Sequence, residues 1–194
     1  MPRTRPPPFA GQGMCSGLRD AANLAWKLAA VTQGNAANSL LDSYQTERQP
    51  HLRATIDMAI MMGKIVCTTS NWQALLRDLK FKLARMLGKL PDGPPADPPI
   101  LAGAILAGSP GAGSYFPQPV SRDGARLDDV LGMGDWLIVR EDLAAPGMAP
   151  FARQISGWLD RHAAEAVLIR PDRYVFGTGD KAALQEAWGA FVTN

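Results

Sequence analysis

Five prolines in nine residues, PDGPPADPP at positions 91–99, set the first limit on what this chain can fold into. Each proline fixes its own φ and lacks an amide donor, so the segment fits neither a helix interior nor a central strand. It reads as a semi-rigid, extended linker. The chain is therefore expected to divide into a portion at 1–90, a linker at 91–99 and a portion at 100–194. Charge changes at the same place: residues 1–90 hold 12 Lys and Arg against 5 Asp and Glu, whereas residues 91–194 hold 8 against 13.

Periodicity changes there too. Leu18, Ala21, Ala22, Ala25, Leu28 and Ala29 recur at helical spacing between Cys15 and Gln33, and Gly34 stands where a glycine would end that helix. A second helical segment runs from Ser39 through Leu41, Tyr44 and Arg48 to Pro50, which should kink or stop it before it resumes through Ile56, Ile60 and Ile65. A third, from Asn71 to about Leu87, aligns Leu75, Leu76, Leu79, Leu83 and Leu87 on one stripe. Beyond the linker, WLIVR (136–140) and AVLIR (166–170) have strand length, and YVFG (174–177) follows the turn dipeptide Pro171-Asp172 closely enough for a hairpin. Helices are expected from Pro150 to His162 and from about Asp180, a plausible N-cap, to the end. The expected class is α/β, more narrowly α+β: a helical half, then strand, helix, strand, strand, helix.

With 194 residues, 46% of them apolar and 20% charged, the chain has the composition of a folded globular protein. No apolar run approaches the roughly 20 residues of a membrane span, and MPRTRPPPFA has no apolar leader core, so a cytoplasmic protein with no membrane partner is expected. The basic residues Arg77, Lys80, Lys82, Arg85 and Lys89 lie at helical spacing without interleaved aromatics, which marks a solvated helix face rather than a nucleic-acid surface. Cys15 and Cys67 lack CxxC spacing, so neither a disulfide framework nor a cysteine metal site is expected.

The stretch PPFAGQGMCSGLRDAANLAWKL (7–28) carries the chemistry. Its prolines stiffen the approach, and Gly11 and Gly13 let backbone N–H groups come close to a ligand. A helix starting near Cys15 or Ser16 leaves its first amides unpaired at the positive end of its dipole, which suits a phosphate, a carboxylate or the anion of a reduced flavin. Gly11-x-Gly13-x-x-Ser16 falls short of the dinucleotide fingerprint because no buried strand precedes it, and there is no Gly-Lys-Ser/Thr for a phosphate loop. A helix-entry loop whose glycines serve only the turn is the alternative.

That stretch, followed by LLDSYQTERQPHLRATIDMA (40–59), resembles the closing segment of the FAD domain in single-component flavin-dependent aromatic hydroxylases, and within them the 3-(3-hydroxyphenyl)propionate hydroxylase group. The resemblance covers about the first 65 residues. It implies FAD as cofactor, NAD(P)H as co-substrate and a phenolic substrate. It also implies that the loop passes along the flavin, with Pro8 near the reactive carbon and Gly11, Gln12, Gly13, Met14 and Cys15 against the pyrimidine edge. Many relatives carry Asn where Cys15 stands, so only a backbone contact is carried over there. No catalytic residue is assigned. Tyr44, Glu47, Arg48 and His51 belong to the second motif and read as a helix anchor with surface ion pairs.

A full hydroxylase of this kind begins with a strand and a GxGxxG segment, and MPRTR stands where its later GD segment is expected. The chain therefore reads as a C-terminal portion that binds FAD weakly alone and exposes apolar helix faces unless an N-terminal FAD-domain partner or a second copy covers them. The second half is similar to the thioredoxin-like domain that longer members append, here without CxxC. In it Arg170 and Asp172 should be exposed at a turn, His162 should sit at a helix end, and AGSPGAGSYFP (107–117) should be a connecting loop. A noncatalytic thioredoxin-like interaction or oligomerisation module is the competing reading.

Overall fold

The computed structural model describes residues 12–88, 101, 103, 105–106 and 108–193. The expected linker at 91–99 lies outside the described residues. The chain forms two compact units, Met1–Leu18 with Leu52–Pro98, and Arg19–His51 with Pro99–Asn194. This division differs from one placed at residue 90 alone, because residues 19–51 fold with the C-terminal half. The reason is a set of buried polar contacts described in the next subsection.

Helix α1 spans Gln12–Thr32, and Gly34 follows it with φ of 75°, the left-handed geometry expected of a helix-terminating glycine. After a short 3-10 turn at Asn38–Leu41, α2 spans Asp42–Val66 without a break at Pro50. The expected interruption does not occur: one lost backbone bond is tolerated because both sides of the proline are anchored, with Glu47 and Arg48 buried before it and Thr55 and Ala59 buried after it. Helix α3 spans Asn71–Met86.

The first unit consists of the start of α1, the end of α2 and α3. Among its described residues it buries Ser16, Thr55 and Ala59, and α3 buries no residue at all. Trp72, Leu75, Leu79 and Leu83 of α3 are each more than half exposed. Arg77 Nη1 donates to the Ile65 carbonyl at 2.7 Å, satisfying one of the terminal acceptors of α2.

In the second unit, α4 (Leu127–Leu131) leads into a three-stranded sheet of β1 (Trp136–Val139), β2 (Ala166–Ile169) and β3 (Val175–Gly179) in the order β1-β2-β3. Both pairings are antiparallel, with Trp136 opposite Ile169 and Val167 opposite Thr178. Helix α5 (Ala152–Arg161) lies between β1 and β2 in sequence, and α6 (Lys181–Thr193) closes the chain, so the expected order strand, helix, strand, strand, helix is observed.

Strand periodicity sorts the core into two layers. Trp136, Ile138, Val167, Ile169 and Val175 pack with Phe151, Ile155, Trp158 and Leu159 of the α5 side, while Val139, Ala166, Leu168 and Phe176 pack with Leu184, Trp188 and Phe191 of α6. The central strand β2 is buried along its whole length, which explains its unbroken apolar run. Asp180 caps α6 as expected, its Oδ1 accepting the N–H groups of Ala182 and Ala183 at 2.9 and 3.1 Å.

The β2–β3 turn brings charged residues to special positions. The Arg173 N–H donates to the Arg170 carbonyl at 2.9 Å, and Arg173 itself takes φ of 68°. That conformation costs a non-glycine residue roughly 1–2 kcal/mol. The guanidinium offsets the cost: it lies 3.5 Å from the centroid of the Trp136 ring and donates to Asp128 and to the carbonyls of Gly132 and Gly134. His162 is held by more than a helix dipole, since its ring stacks on Trp158 at 3.9 Å and Nδ1 lies 2.8 Å from the Trp158 carbonyl.

Gly177 faces the α6 layer where Leu106 crosses β3, and a Cβ there would come 2.8 Å from the Leu106 Cβ. Gly177→Ala is expected to destabilise the chain by about 1–3 kcal/mol through overpacking, read as a lower urea midpoint at unchanged slope.

Candidate functional site

Helix α1 carries the residues expected at the site at its start and buried polar residues along the rest of its length. At its start, Gln12 is the first helical residue, so Gly13, Met14 and Cys15 form the first turn rather than the loop expected to precede a start near Cys15. The first four N–H groups of a helix have no helical acceptor, and those of Gly13, Met14 and Cys15 are among them. Met14 is 75% exposed, the Ser16 hydroxyl is buried without a partner among the described residues, and a Cβ on Gly17 would meet nothing within 4 Å. Pro8 and Gly11 lie outside the described residues, and of Gln12 only the backbone is described.

The rest of α1 is turned inside out. Its apolar positions Leu18, Ala21, Ala22, Ala25, Leu28 and Ala29 are exposed, while Ser16, Asn23 and Lys27 are buried. Asn23 and Lys27 stand four residues apart on one face and meet Glu47 of α2. Glu47 accepts from Asn23 Nδ2 at 2.6 Å, lies 3.0 Å from Lys27 Nζ, and receives both Nη atoms of Arg170 at 3.1 and 2.8 Å. Arg170 also donates Nε and Nη2 to Asp172 at 3.0 and 2.7 Å, and Asn23 Nδ2 reaches the same carboxylate at 2.9 Å. Two cations and two anions thus close a neutral, buried network.

The network is buried and has an aromatic ring beside its two cations. Lys27, Glu47 and Arg170 each have 0% exposure, and the Trp26 ring lies 5.7 Å from Lys27 Nζ and 5.5 Å from the Arg170 guanidinium carbon. Gly103, at φ of 112°, lies so close that a Cβ on it would come 2.9 Å from Glu47 Cγ. Beside the network, Arg48 Nε donates to Asp20 at 2.6 Å, leaving its two Nη atoms buried without acceptors among the described residues. The Tyr174 hydroxyl is likewise buried and unpaired there.

These placements correct the sequence reading. Glu47 and Arg48 are buried rather than surface ion pairs, and they pair with Arg170 and Asp20. Arg170 and Asp172 are buried in the turn instead of exposed on it. The legible signal was the polar stripe Ser16, Asp20, Asn23 and Lys27, whose helical spacing reads as a solvent face unless two buried counter-ions are known to await it.

Burial pushes Lys27 down, with Glu47 opposing, to about 8 from its ordinary 10.5. Burial acts upward on Glu47, yet Arg170 and Lys27 hold its carboxyl below the ordinary value. Burial acts downward on Arg170, but Asp172 and Glu47 outweigh it and raise it.

Breaking the network is expected to be costly. Glu47→Leu leaves two buried cations to one carboxylate and should cost about 3–5 kcal/mol, whereas adding Arg170→Met restores neutrality and should lose less than the sum of the single changes in a denaturant double-mutant cycle. Lys27 gives a pH signature. Folded chain releases its proton near 8 and unfolded chain near 10.5. The unfolded state binds more protons in that window, so this residue's contribution makes stability rise from pH 8 to 10.5, and the rise disappears in Lys27→Met. On the acid side, the stability owed to Glu47 is present above its ordinary 4.5 and is lost as pH falls below it.

Comparison with known proteins places these elements. Residues 4–59 match the FAD binding domain family, and residues 151–194 match the HcaD C-terminal domain. A probable NADH-specific resorcinol 4-hydroxylase of Rhodococcus jostii strain RHA1 is 35% identical over 210 residues, 91% of this chain and 38% of that protein. A 3-(3-hydroxy-phenyl)propionate/3-hydroxycinnamic acid hydroxylase of Burkholderia cenocepacia strain HI2424 is 33% identical over 237 residues, 95% of this chain and 43% of that protein. The chain spans about two fifths of the length of these curated relatives. In structure it is similar to the OxyS anhydrotetracycline hydroxylase from Streptomyces rimosus, with a TM-score of 0.63 at 25% identity over 95% of this chain and 42% of that one. The rebeccamycin biosynthetic enzyme RebC with reduced flavin shares the fold, with a TM-score of 0.65 at 22% identity over 95% of this chain and 43% of that one. Two matched segments at opposite ends, and relatives aligned along nearly all of the residues between, make the chain similar over nearly its whole length to part of these hydroxylases.

Proposed function

We propose that this chain is the flavin-edge and C-terminal portion of an FAD-dependent monooxygenase that hydroxylates a phenolic ring, using NAD(P)H and O2. The observation that carries the reading is the inversion of α1: its polar face is consumed inside the chain, leaving its apolar face and its first-turn donors available to a partner. Separately, within the first unit, α3 and the end of α2 also expose apolar residues. An N-terminal FAD-domain portion, as in the longer relatives, is the proposed cover, and a second copy of the chain is the substitute when that portion is missing.

The donors of the first turn fit a flavin. The amides of Gly13, Met14 and Cys15 would hold the pyrimidine edge, and the helix dipole would favour negative charge there. Gly11 and Gln12 would continue this contact, and Pro8 would shape the loop beside the ring. When bound, FAD supplies the redox centre that accepts hydride from the nicotinamide and delivers one oxygen atom to the substrate. The chain's own part is to bind, orient and polarise. A few amides worth roughly 1 kcal/mol each do not offset the several kcal/mol needed to immobilise a cofactor, so FAD binding by the chain alone should be weak.

Among the described residues, no helix is long and apolar enough to cross a membrane. Free Cys15 and Cys67 accord with a reducing, cytoplasmic setting. Neither a nucleic-acid nor a membrane partner is proposed.

Two outcomes test the reading. On gel filtration the chain by itself is expected to self-associate, and co-expression with the N-terminal portion of a related hydroxylase should replace that species by a complex showing phenol-dependent nicotinamide oxidation. A monodisperse monomer indifferent to that partner would overturn it. Within the complex, Gly13→Pro deletes one amide donor in a turn that accepts proline, and is expected to weaken FAD binding about fivefold, measured by the visible absorbance of the flavin.

A further inference from the structure

Between Val120 and Val175 the chain has seven arginines, and four of them have carboxylate partners: Arg126 with Asp129, Arg140 with Asp160 and Glu165, Arg170 with Glu47 and Asp172, and Arg173 with Asp128. The remaining three, Arg122, Arg153 and Arg161, have no ion pair among the described residues, and all three line one groove of about 740 Å³. In a half of the chain with an excess of acidic residues, three unpaired guanidiniums in one place are a departure from local pairing. Like charges so placed repel unless a counter-ion offsets them.

The groove is built rather than incidental. Arg153, Gly157 and Arg161 recur every four residues on one face of α5, and the glycine between the arginines keeps the floor open: a Cβ there would meet only Arg161 Nη1, at 3.9 Å. The opposite wall is fixed by Gln154, whose amide donates to the Val120 carbonyl at 2.6 Å and accepts the Val120 N–H at 3.3 Å. Asp123 is the one acid on the lining, and its carboxylate turns to the Ser121 hydroxyl at 2.5 Å. The lining therefore carries three positive charges against one negative.

We infer that this groove is a binding site for a small diphosphate-bearing anion, held by the forks of Arg122, Arg153 and Arg161. Guanidiniums on two facing elements suit an anion with two adjacent charged groups, because each can take its own bidentate contact. Free diphosphate and the diphosphate of a dinucleotide share this chemistry.

Calorimetric titration of the whole chain with inorganic pyrophosphate at low ionic strength tests the site. Saturable binding below about 1 mM that weakens with salt is expected. Arg153→Gln with Arg161→Gln should weaken it at least about tenfold. Gly157→Leu, which fills the floor without changing charge, should do the same, whereas Gly157→Ala should bind as the parent does. Circular dichroism of each variant confirms that the fold is retained. NADH is the second probe: tighter binding than pyrophosphate, lost in the same variants, assigns the site to a dinucleotide, and weaker binding assigns it to free diphosphate. Absence of saturable binding, or binding unchanged by the arginine pair or by Gly157→Leu, overturns the inference.

Discussion

The second unit depends on the contact between Glu47 and Arg170, two fully buried side chains 123 residues apart that close a two-point ion pair. Neither would be stable in an apolar interior alone, because desolvating a charge costs several kcal/mol. Lys27, Asn23 and Asp172 complete the set so that each carboxylate oxygen facing the interior has a donor. Such a network is poor evidence of extra stability, since well-packed apolar residues of similar volume often do as well or better. Its effect is on specificity. Apolar faces slide against each other at small cost, but a guanidinium fork held by two carboxylates fits in one register only. The charges thus fix how residues 19–51 seat against the β2–β3 turn.

The same network explains the exposure pattern of α1. A helix has a limited circumference, and here the stripe of Asp20, Asn23 and Lys27 is used to meet Arg48 and Glu47 inside the chain. The small apolar residues are left outside. Alanine at Ala21, Ala22, Ala25 and Ala29 lets another backbone approach closely, which is what an α/β layer needs from a covering helix. The first unit has the same character, burying small side chains and exposing long apolar ones among the described residues. Both observations accord with the proposed cover by a further portion, and the relatives are more than twice as long as this chain.

Local physics made much of the fold legible. Short apolar runs and the turn dipeptide Pro171-Asp172 located all three strands, Asp180 and Gly34 marked helix boundaries, and 3.6-residue spacing found α1, α3, α5 and α6. Pro50 misled because a proline's effect on a helix is a competition: one lost bond weighs less than the burial of Glu47 and Arg48 on one side and Thr55 and Ala59 on the other. The buried network was illegible for a different reason. A charged side chain reads as exposed unless its counter-ions are known, and Arg170 finds Glu47 only after the whole sheet has formed. Asp172, two residues away, read as an exposed turn residue for the same reason.

Of the proposed flavin contacts, only the donors common to any first helical turn can be argued from chain chemistry, because backbone amides carry no residue signature. What distinguishes α1 is the company those donors keep: glycine at Gly13 and Gly17, a buried hydroxyl at Ser16, and an apolar flank from Leu18 to Ala29. A helix that only entered a fold would bury that flank within its own chain and cap its first amides with a Ser, Thr, Asp or Asn side chain. Here residues 7–11 supply Pro, Phe, Ala and Gly and no capping side chain. A helix start preceded in sequence by no Ser, Thr, Asp or Asn at positions 7–11, beside an apolar face exposed among the described residues, is suited to meet an external acceptor and an external layer together, as a flavin lodged in an FAD domain would present them.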